Sequence, residues 1–485
     1  MLRAAKYVAV VVAVLAIAVL AKAGLPSIAT GTWQSAGQMT VARAGAASVL
    51  LPDGRIMIIG GTDANGNPLA TTEFFDTNGN FVPGPAMNVA RAGHTAIWLA
   101  NGEVLVTGGT TSAAGVTPPA VTNSAEVFDP LYSQNGWTQL APMPNARTGH
   151  TTTMLQDGSV LIAGGENSGG PVSGLDILEI APTEHFVSAG AMLTPRRGHA
   201  AAALNDGRVL IVGGTDVNGA TLASTEIFNP AALSDTALTL VTAGPSLSIP
   251  RFSATATLLT DGRVLVAGGG YPEAVTQTNA DGSTTQTGPT ELASMEVFDP
   301  IAGTMTTSAL SMSTARSGHQ AFLLPNNNNV LIVGGTYNGQ ALASADLYSS
   351  WQNSLVATSA MSNARTGATG SGMNTPVGSY PVSGVDGVLL VAGGSSQQSA
   401  ELYGFATVKT DKDDYAPGQV VTITGTGWAP YENVTLNFVE SPNIDAPGPF
   451  TVTADEYGNI IDTEFAPDAL DLKVRFYLTA IGASS

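Results

Sequence analysis

Seven times along 485 residues a short apolar run ends in a glycine pair: Gly60-Gly61, Gly108-Gly109, Gly164-Gly165, Gly213-Gly214, Gly268-Gly269, Gly334-Gly335 and Gly393-Gly394. An arginine stands upstream of each pair, at Arg43, Arg91, Arg147, Arg196, Arg251, Arg316 and Arg365. In the first five units 17 residues separate this arginine from the first glycine; the sixth has 18, with the extra residue in the turn 326–329, and the seventh has 28 because of an insertion around 370–384. Successive pairs are 48, 56, 49, 55, 66 and 59 residues apart. A chain that repeats one unit at such intervals builds like modules, each burying its apolar face against the next, with variable loops between them.

Each unit divides into four short strands, A to D. Strand A follows the arginine and is made of small or β-prone residues, as in His199-Ala200-Ala201-Ala202-Ala203. Asp53-Gly54, Asn101-Gly102, Asp206-Gly207 and Asp261-Gly262 are tight-turn dipeptides leading into strand B. Strand B is an unbroken apolar run such as Val209-Leu210-Ile211-Val212, the pattern of a strand covered on both faces. Strand C carries an acid and then an aromatic residue, as in Glu126-Val127-Phe128-Asp129-Pro130. Strand D ends towards Met87, Met143, Met192, Met312 and Met361. The last unit has no strand D of its own, whereas residues 32–39 form an unpartnered one; joining the two removes a pair of exposed edges.

The succession Arg-x-Gly-His, Gly-Gly, Glu-x-Phe-Asp-Pro and Trp-to-Met resembles the kelch repeat of β-propellers over residues 32–404. The resemblance implies an all-β, seven-bladed kelch-type β-propeller closed by an N-terminal strand, within the superfamily of the galactose oxidase central domain. From about residue 405 the composition shifts, and lysine, absent from 24–404, appears at Lys409, Lys412 and Lys473. Residues 405–485 are similar to bacterial immunoglobulin-like β-sandwich modules. No strand is expected after Thr479-Ala480, so an incomplete sandwich is the expectation.

Arg3 and Lys6 precede an apolar run over 7–20, and Ala21-Lys22-Ala23 offers small residues for cleavage. The run is shorter than the ~20 residues a spanning helix needs, so residues 1–23 read as a cleaved signal peptide, with no transmembrane segment left afterwards. The expected location is secreted or cell-surface, the periplasm included. The 18 basic residues less Arg3, Lys6 and Lys22 leave 15 against 37 acidic ones, a net charge of about −22. That surface disfavours nucleic acid and anionic lipid. The sequence has no cysteine, which excludes disulfides, thiolate metal sites and cysteine nucleophiles.

The seven arginines are matched by one strand C acid each: Glu73, Glu126, Asp176, Glu226, Glu296, Asp346 and Glu401. One pair per unit reads as a structural ion pair multiplied by duplication. His94, His150, His199 and His319 share one repeat position, so they lie in different units and do not converge on a metal; His185 stands alone. The kelch-type copper oxidases that resemble galactose oxidase pair the same two domains, and their chemistry implies a tyrosine crosslinked to cysteine and a histidine ligand from the C-terminal domain. This chain has no cysteine, and 405–485 contains no histidine. No cofactor, metal or catalytic residue is therefore expected.

The reading is an exported, non-catalytic binding or structural protein, a platform for a protein or glycan at the cell exterior. The alternative is a carbohydrate-active enzyme, a paired-carboxylate glycosidase among them, or a degenerate galactose-oxidase-like protein. Long loops are where function is added to a repeat scaffold. The longest, 271–292, offers Tyr271, Glu273, Asp281 and Glu291 as ligand-binding residues, and the loop after Gly109 to Asn123 is the next candidate.

Overall fold

The computed structural model describes residues 25 and 28–483, except 181–182, 236, 272–274, 279–283, 288–289, 374–385, 443 and 445–446, and only the backbone of 133–135, 275–278 and 284–287. Glu273, Asp281 and the leader 1–23 lie outside the described residues. Beyond three short 3-10 turns, every regular element is a strand.

Among the described residues seven four-stranded antiparallel sheets follow one another. Their A and B strands are Ala47–Leu50 and Ile56–Ile59, Thr95–Trp98 and Val104–Thr107, Thr151–Met154 and Val160–Ala163, Ala200–Ala203 and Val209–Val212, Thr255–Leu258 and Val264–Ala267, Gln320–Leu323 and Asn329–Val333, and Thr369–Met373 and Val388–Ala392. The acid-bearing C strand pairs with B in each, for example Thr225–Phe228 with Val209–Val212, placing Glu226 opposite Ile211. In the seventh sheet C is Gln397–Gly404, and the outer strand is Trp33–Arg43 from the start of the chain, with Trp33 opposite Tyr403. This strand runs on past Met39 to Arg43, interrupted by two register shifts. The methionines expected at the ends of strand D lie beyond them: Met87 is buried three residues after Phe81–Gly84 ends.

No sheet closes on itself among the described residues; the sheets meet through side chains. Strand B alternates two faces, and each face fills a different apolar layer. Ile56 and Ile58 pack with Leu390, Leu402 and Met39 of the seventh sheet, while Met57 and Ile59 pack with Val104 and Val106 of the second. The same arrangement repeats between each sheet and the next. This is why strand B has no polar face in the sequence, and each such Val, Leu or Ile contributes about 1.5–3 kcal/mol of burial. The A strands are neighbours in succession, and that of the seventh sheet lies beside that of the first. There Thr369 Oγ1 donates to Ser48 Oγ at 2.7 Å, and Ser48 Oγ to the Gly370 carbonyl at 2.8 Å.

The glycine pairs are required by geometry. Gly60 and Gly61 have φ of 58° and 90°, and a Cβ on Gly61 would lie 2.8 Å from the Ala44 carbonyl oxygen.

The C-terminal segment forms two three-stranded sheets: Lys409–Thr410, Ile423–Gly425 and Ile460–Asp462 in one, and Phe450–Thr453, Asn433–Ser441 and Arg475–Gly482 in the other. Phe438, Phe465, Trp428 and Leu436 fill the space between them. The extra residue of the 326–329 turn serves this segment. Asn327 Nδ2 donates to the Ala406 carbonyl at 2.7 Å, and Val408 N donates to the Asn326 carbonyl at 3.0 Å. Lys409 Nζ, 2.5 Å from Asp386 Oδ2, adds an ion pair across the same junction. Among the described residues, no helix is long and apolar enough to cross a membrane.

Candidate functional site

The repeat arginines are all interior, each at most 1 % exposed. The antiparallel A–B hairpin explains the fixed spacing in the sequence: it brings each arginine beside the first glycine of its own pair, whose carbonyl accepts from Nη1. The distances are 3.0 Å for Arg43 and Gly60, 2.8 Å for Arg91 and Gly108, and 2.9 Å for Arg196 and Gly213. Nη2 meets the strand C acid: Arg43–Glu73 2.9 Å, Arg91–Glu126 2.7 Å, Arg196–Glu226 2.6 Å, Arg251–Glu296 3.0 Å, Arg316–Asp346 2.9 Å and Arg365–Glu401 2.9 Å. Arg147 meets Asp176 in the same way. Burial pulls the guanidinium groups of Arg43, Arg91, Arg147, Arg196, Arg251 and Arg316 below their ordinary value while the facing carboxylate opposes that shift, so they stay charged.

The carboxylates of Glu126, Glu226 and Glu401 also accept two backbone N–H groups each, one per oxygen, from the linker that leaves the preceding sheet. Glu126 takes Asn88 N at 2.6 Å and Val89 N at 3.1 Å; Glu226 takes Leu193 N at 2.7 Å and Thr194 N at 3.0 Å; Glu401 takes Ser362 N at 2.6 Å and Asn363 N at 3.1 Å. The pair is thus a staple between successive sheets. A hydroxyl two residues before the acid belongs to it as well: Ser124, Ser224, Ser294, Ser344 and Ser399 each accept from Nη2. That Ser-x-acid pattern was present in the sequence, and only its acid was singled out there.

The shared histidines are spaced apart, as their repeat position requires. His150 Nε2 is 2.9 Å from both Thr95 Oγ1 and Thr107 Oγ1, His199 Nε2 is 3.0 Å from Thr151 Oγ1, and His319 Nε2 is 3.1 Å from Thr255 Oγ1. Each hydroxyl belongs to the preceding sheet. Burial, reinforced by the neighbouring arginine, lowers His94, His199 and His319 to about 3. They are neutral packing groups. His185 sits apart on strand D of the third sheet, 3.4 Å from Glu179.

Solvent-facing chemistry gathers on the loops that follow the glycine pairs and precede strand A. Arg197 occupies the variable position of Arg-x-Gly-His, where the other units carry Ala44, Ala92, Thr148, Phe252, Ser317 and Thr366. Its Nε lies 3.4 Å from Glu166 Oε2, and its guanidinium stands 5.6 Å from the centre of the Phe252 ring. Phe252 bridges to Gly270, which begins the two-residue pairing of Gly270–Tyr271 with Thr290–Glu291. Burial raises the Tyr271 phenol, and the Arg251 charge opposes that. Glu291 Oε2 accepts Asn338 N from the next sheet's hairpin at 3.3 Å. Of the four loop residues named from the sequence, Tyr271 and Glu291 flank one short ladder. Arg197, Glu166 and Phe252 were not singled out in the sequence, although Arg197 is the one cation at its repeat position.

Among the described residues no three His, Asp or Glu side chains cluster as metal ligands. Two carboxylates are brought together where Asn101 Nδ2 donates to Glu103 Oε2 and to Glu184 Oε1, both at 2.8 Å. It joins turns of the second and third sheets, away from the loops around Arg197.

No family model matches the chain, and no curated protein does. Solved structures do match. A fungal alcohol oxidase of the AA5 family, in complex with copper, aligns over 94 % of this chain and 97 % of its own, with a TM-score of 0.60 and 14 % identity. The protein YjhT aligns over 66 % of this chain and 99 % of its own, with a TM-score of 0.49 and 16 % identity. The chain has the all-β fold of a galactose-oxidase-like β-propeller. In this chain cysteine is absent, no histidine lies beyond 405, and three of the shared histidines face threonine hydroxyls between sheets.

Proposed function

We propose that this is an exported, non-catalytic binding or structural protein that presents the loop face of a seven-bladed kelch-type propeller to a protein or glycan outside the cell. The seven sheets are its blades, spanning residues 32–404, and the strand from Trp33 closes the ring. Residues 405–485 are an immunoglobulin-like sandwich, and 1–23 a cleaved signal peptide. The observation that carries this reading is the use already made of the repeated polar residues: every repeat arginine and its acid is at most 1 % exposed and held in a staple between sheets. Arg197, Tyr271 and Glu291, with the Phe252 ring beside them, lie partly open to a partner on the loops of the fourth and fifth sheets. A ring of blades with one chemically distinct sector suits recognition through loops.

The second reading, a degenerate or altered galactose-oxidase-like enzyme, draws support from the alignment over 94 % of the chain with the AA5 alcohol oxidase. Metal analysis after copper loading, with oxygen uptake on galactose and primary alcohols, separates the two. The binding reading expects neither stoichiometric copper nor turnover. Oxygen consumption with bound copper would replace it with the oxidase reading.

A further inference from the structure

The staple between sheets is built in the same way six times and differently once. At the seam between the second and third sheets the residue after Met143 is Pro144, which has no N–H to give. Every other acid accepts a backbone N–H from the residue in that place: Thr40 to Glu73, Asn88 to Glu126, Leu193 to Glu226, Ser248 to Glu296, Ser313 to Asp346 and Ser362 to Glu401. Asp176 Oδ1 therefore receives no backbone N–H from the linker, and both Asp176 and Arg147 are fully buried. The serine two residues before Asp176 is replaced by Gly174. The Asn145 side chain approaches from the linker, and burial raises the Asp176 carboxyl despite the Arg147 charge.

The same seam holds the Glu103–Glu184 pair at its other end. Asn101 ties both carboxyls through one amide, so their oxygens are held close, and Gly158 of the third sheet packs against Ala100 beside them. Burial and the Glu103 carboxylate raise Glu184 to about 7. The other charged groups nearby are engaged elsewhere. His185 faces Glu179 and the Thr183 carbonyl, and Asp157 accepts from Ser159 N and Oγ.

We infer that the seam between the second and third sheets is the pH-responsive joint of the fold, closed while Glu184 keeps its proton beside Glu103 and opening more readily once that proton leaves. The sign follows from linkage. A carboxyl raised in the folded state holds a proton that the opened state releases, so closure is favoured at acidic pH and lost as pH rises through about 7. Repulsion between two bridged carboxylates then acts on a junction that already lacks its backbone donor and its serine. The apolar layer of Leu99, Val127, Met143 and Leu178 still joins the sheets, so the response is local opening rather than unfolding.

Native-state hydrogen exchange on the full chain at pH 5.5 and 8, corrected for intrinsic exchange rates, tests this. The expected result is a loss of protection of about tenfold in the second-sheet turn at Leu99–Glu103 and in strand His185–Ala191, with no such change at the seam between the third and fourth sheets. Glu184→Gln, at a half-buried position, is expected to fold and to remove that pH dependence. A uniform pH response at all seams, or an unaltered response in Glu184→Gln, would overturn the inference.

Discussion

Glu226 accepts two N–H groups from the linker ahead of the fourth sheet while its other contact, Arg196, lies 2.6 Å away with its remaining donors on the Gly213 and Ser224 carbonyls. One acid therefore holds a linker, a strand and a buried cation together. Glu226→Ala leaves a buried guanidinium without its counter-charge, and the expected cost is about 3–5 kcal/mol in urea unfolding. A loss under ~1 kcal/mol would show that the staple contributes little.

The third-sheet seam offers the opposite experiment. Pro144→Ser combined with Asp176→Glu supplies the missing donor and a longer acid, and is expected to stabilise the protein by about 1–2 kcal/mol, a charge-assisted hydrogen bond regained. Either substitution alone is expected to give less than the pair. Additive single effects would mean the two positions do not act on one bond.

The buried histidines set an acid limit. Their folded pKa of about 3 lies below the unfolded value near 6.5, so the unfolded chain binds the extra protons and stability falls as pH drops from 6.5 towards 3. Each contributes a loss of roughly 2–3 kcal/mol by pH 4.5. His199→Gln is expected to lower proton uptake on unfolding at pH 5 by about one proton per molecule, read from the slope of stability against pH. An unchanged slope would place His199 in contact with solvent.

The outer strand from Trp33 is expected to be indispensable. Its Met39 packs in the layer between the seventh and first sheets, and the Trp33 and Tyr403 rings meet at a tilt, 5.0 Å between centres. Deleting 32–39 is expected to lower the melting temperature sharply, by differential scanning calorimetry. A truncated chain that melts like the full one would contradict the closure of the ring.

Repeats made much of this legible. The 17-residue interval, the glycine pairs and the apolar strand B mark a hairpin whose side chains face two neighbouring sheets, and that periodicity survives in the sequence because every unit meets the same neighbours. The pairing of each arginine with its acid could be posed as a question of matching numbers. What stayed hidden depends on contacts between units. Pro144 matters only because Asp176 faces it across a seam, and Glu103 and Glu184 meet only because an A–B turn of one sheet lies beside a C–D turn of the next. Arg197 was overlooked since the arginine beside it, Arg196, carries the repeat pattern, and the neighbour that exposes its chemistry, Phe252, is a whole unit away. Glu273 and Asp281 lie outside the described residues, so the loop face rests on Tyr271 and Glu291 with Arg197 and Phe252.

The central claim, that the loop face around Arg197 and Tyr271 is the binding surface, is tested most directly by comparing the parent chain with Arg197→Ala/Tyr271→Ala on a glycan array and in pull-downs from cell-surface extract. Both side chains are partly exposed, so the double variant is expected to melt within about 2 °C of the parent, since surface changes cost little. Loss of at least about tenfold in retention, some 1.4 kcal/mol, is the predicted result. Retention unchanged in a variant that melts normally would contradict it.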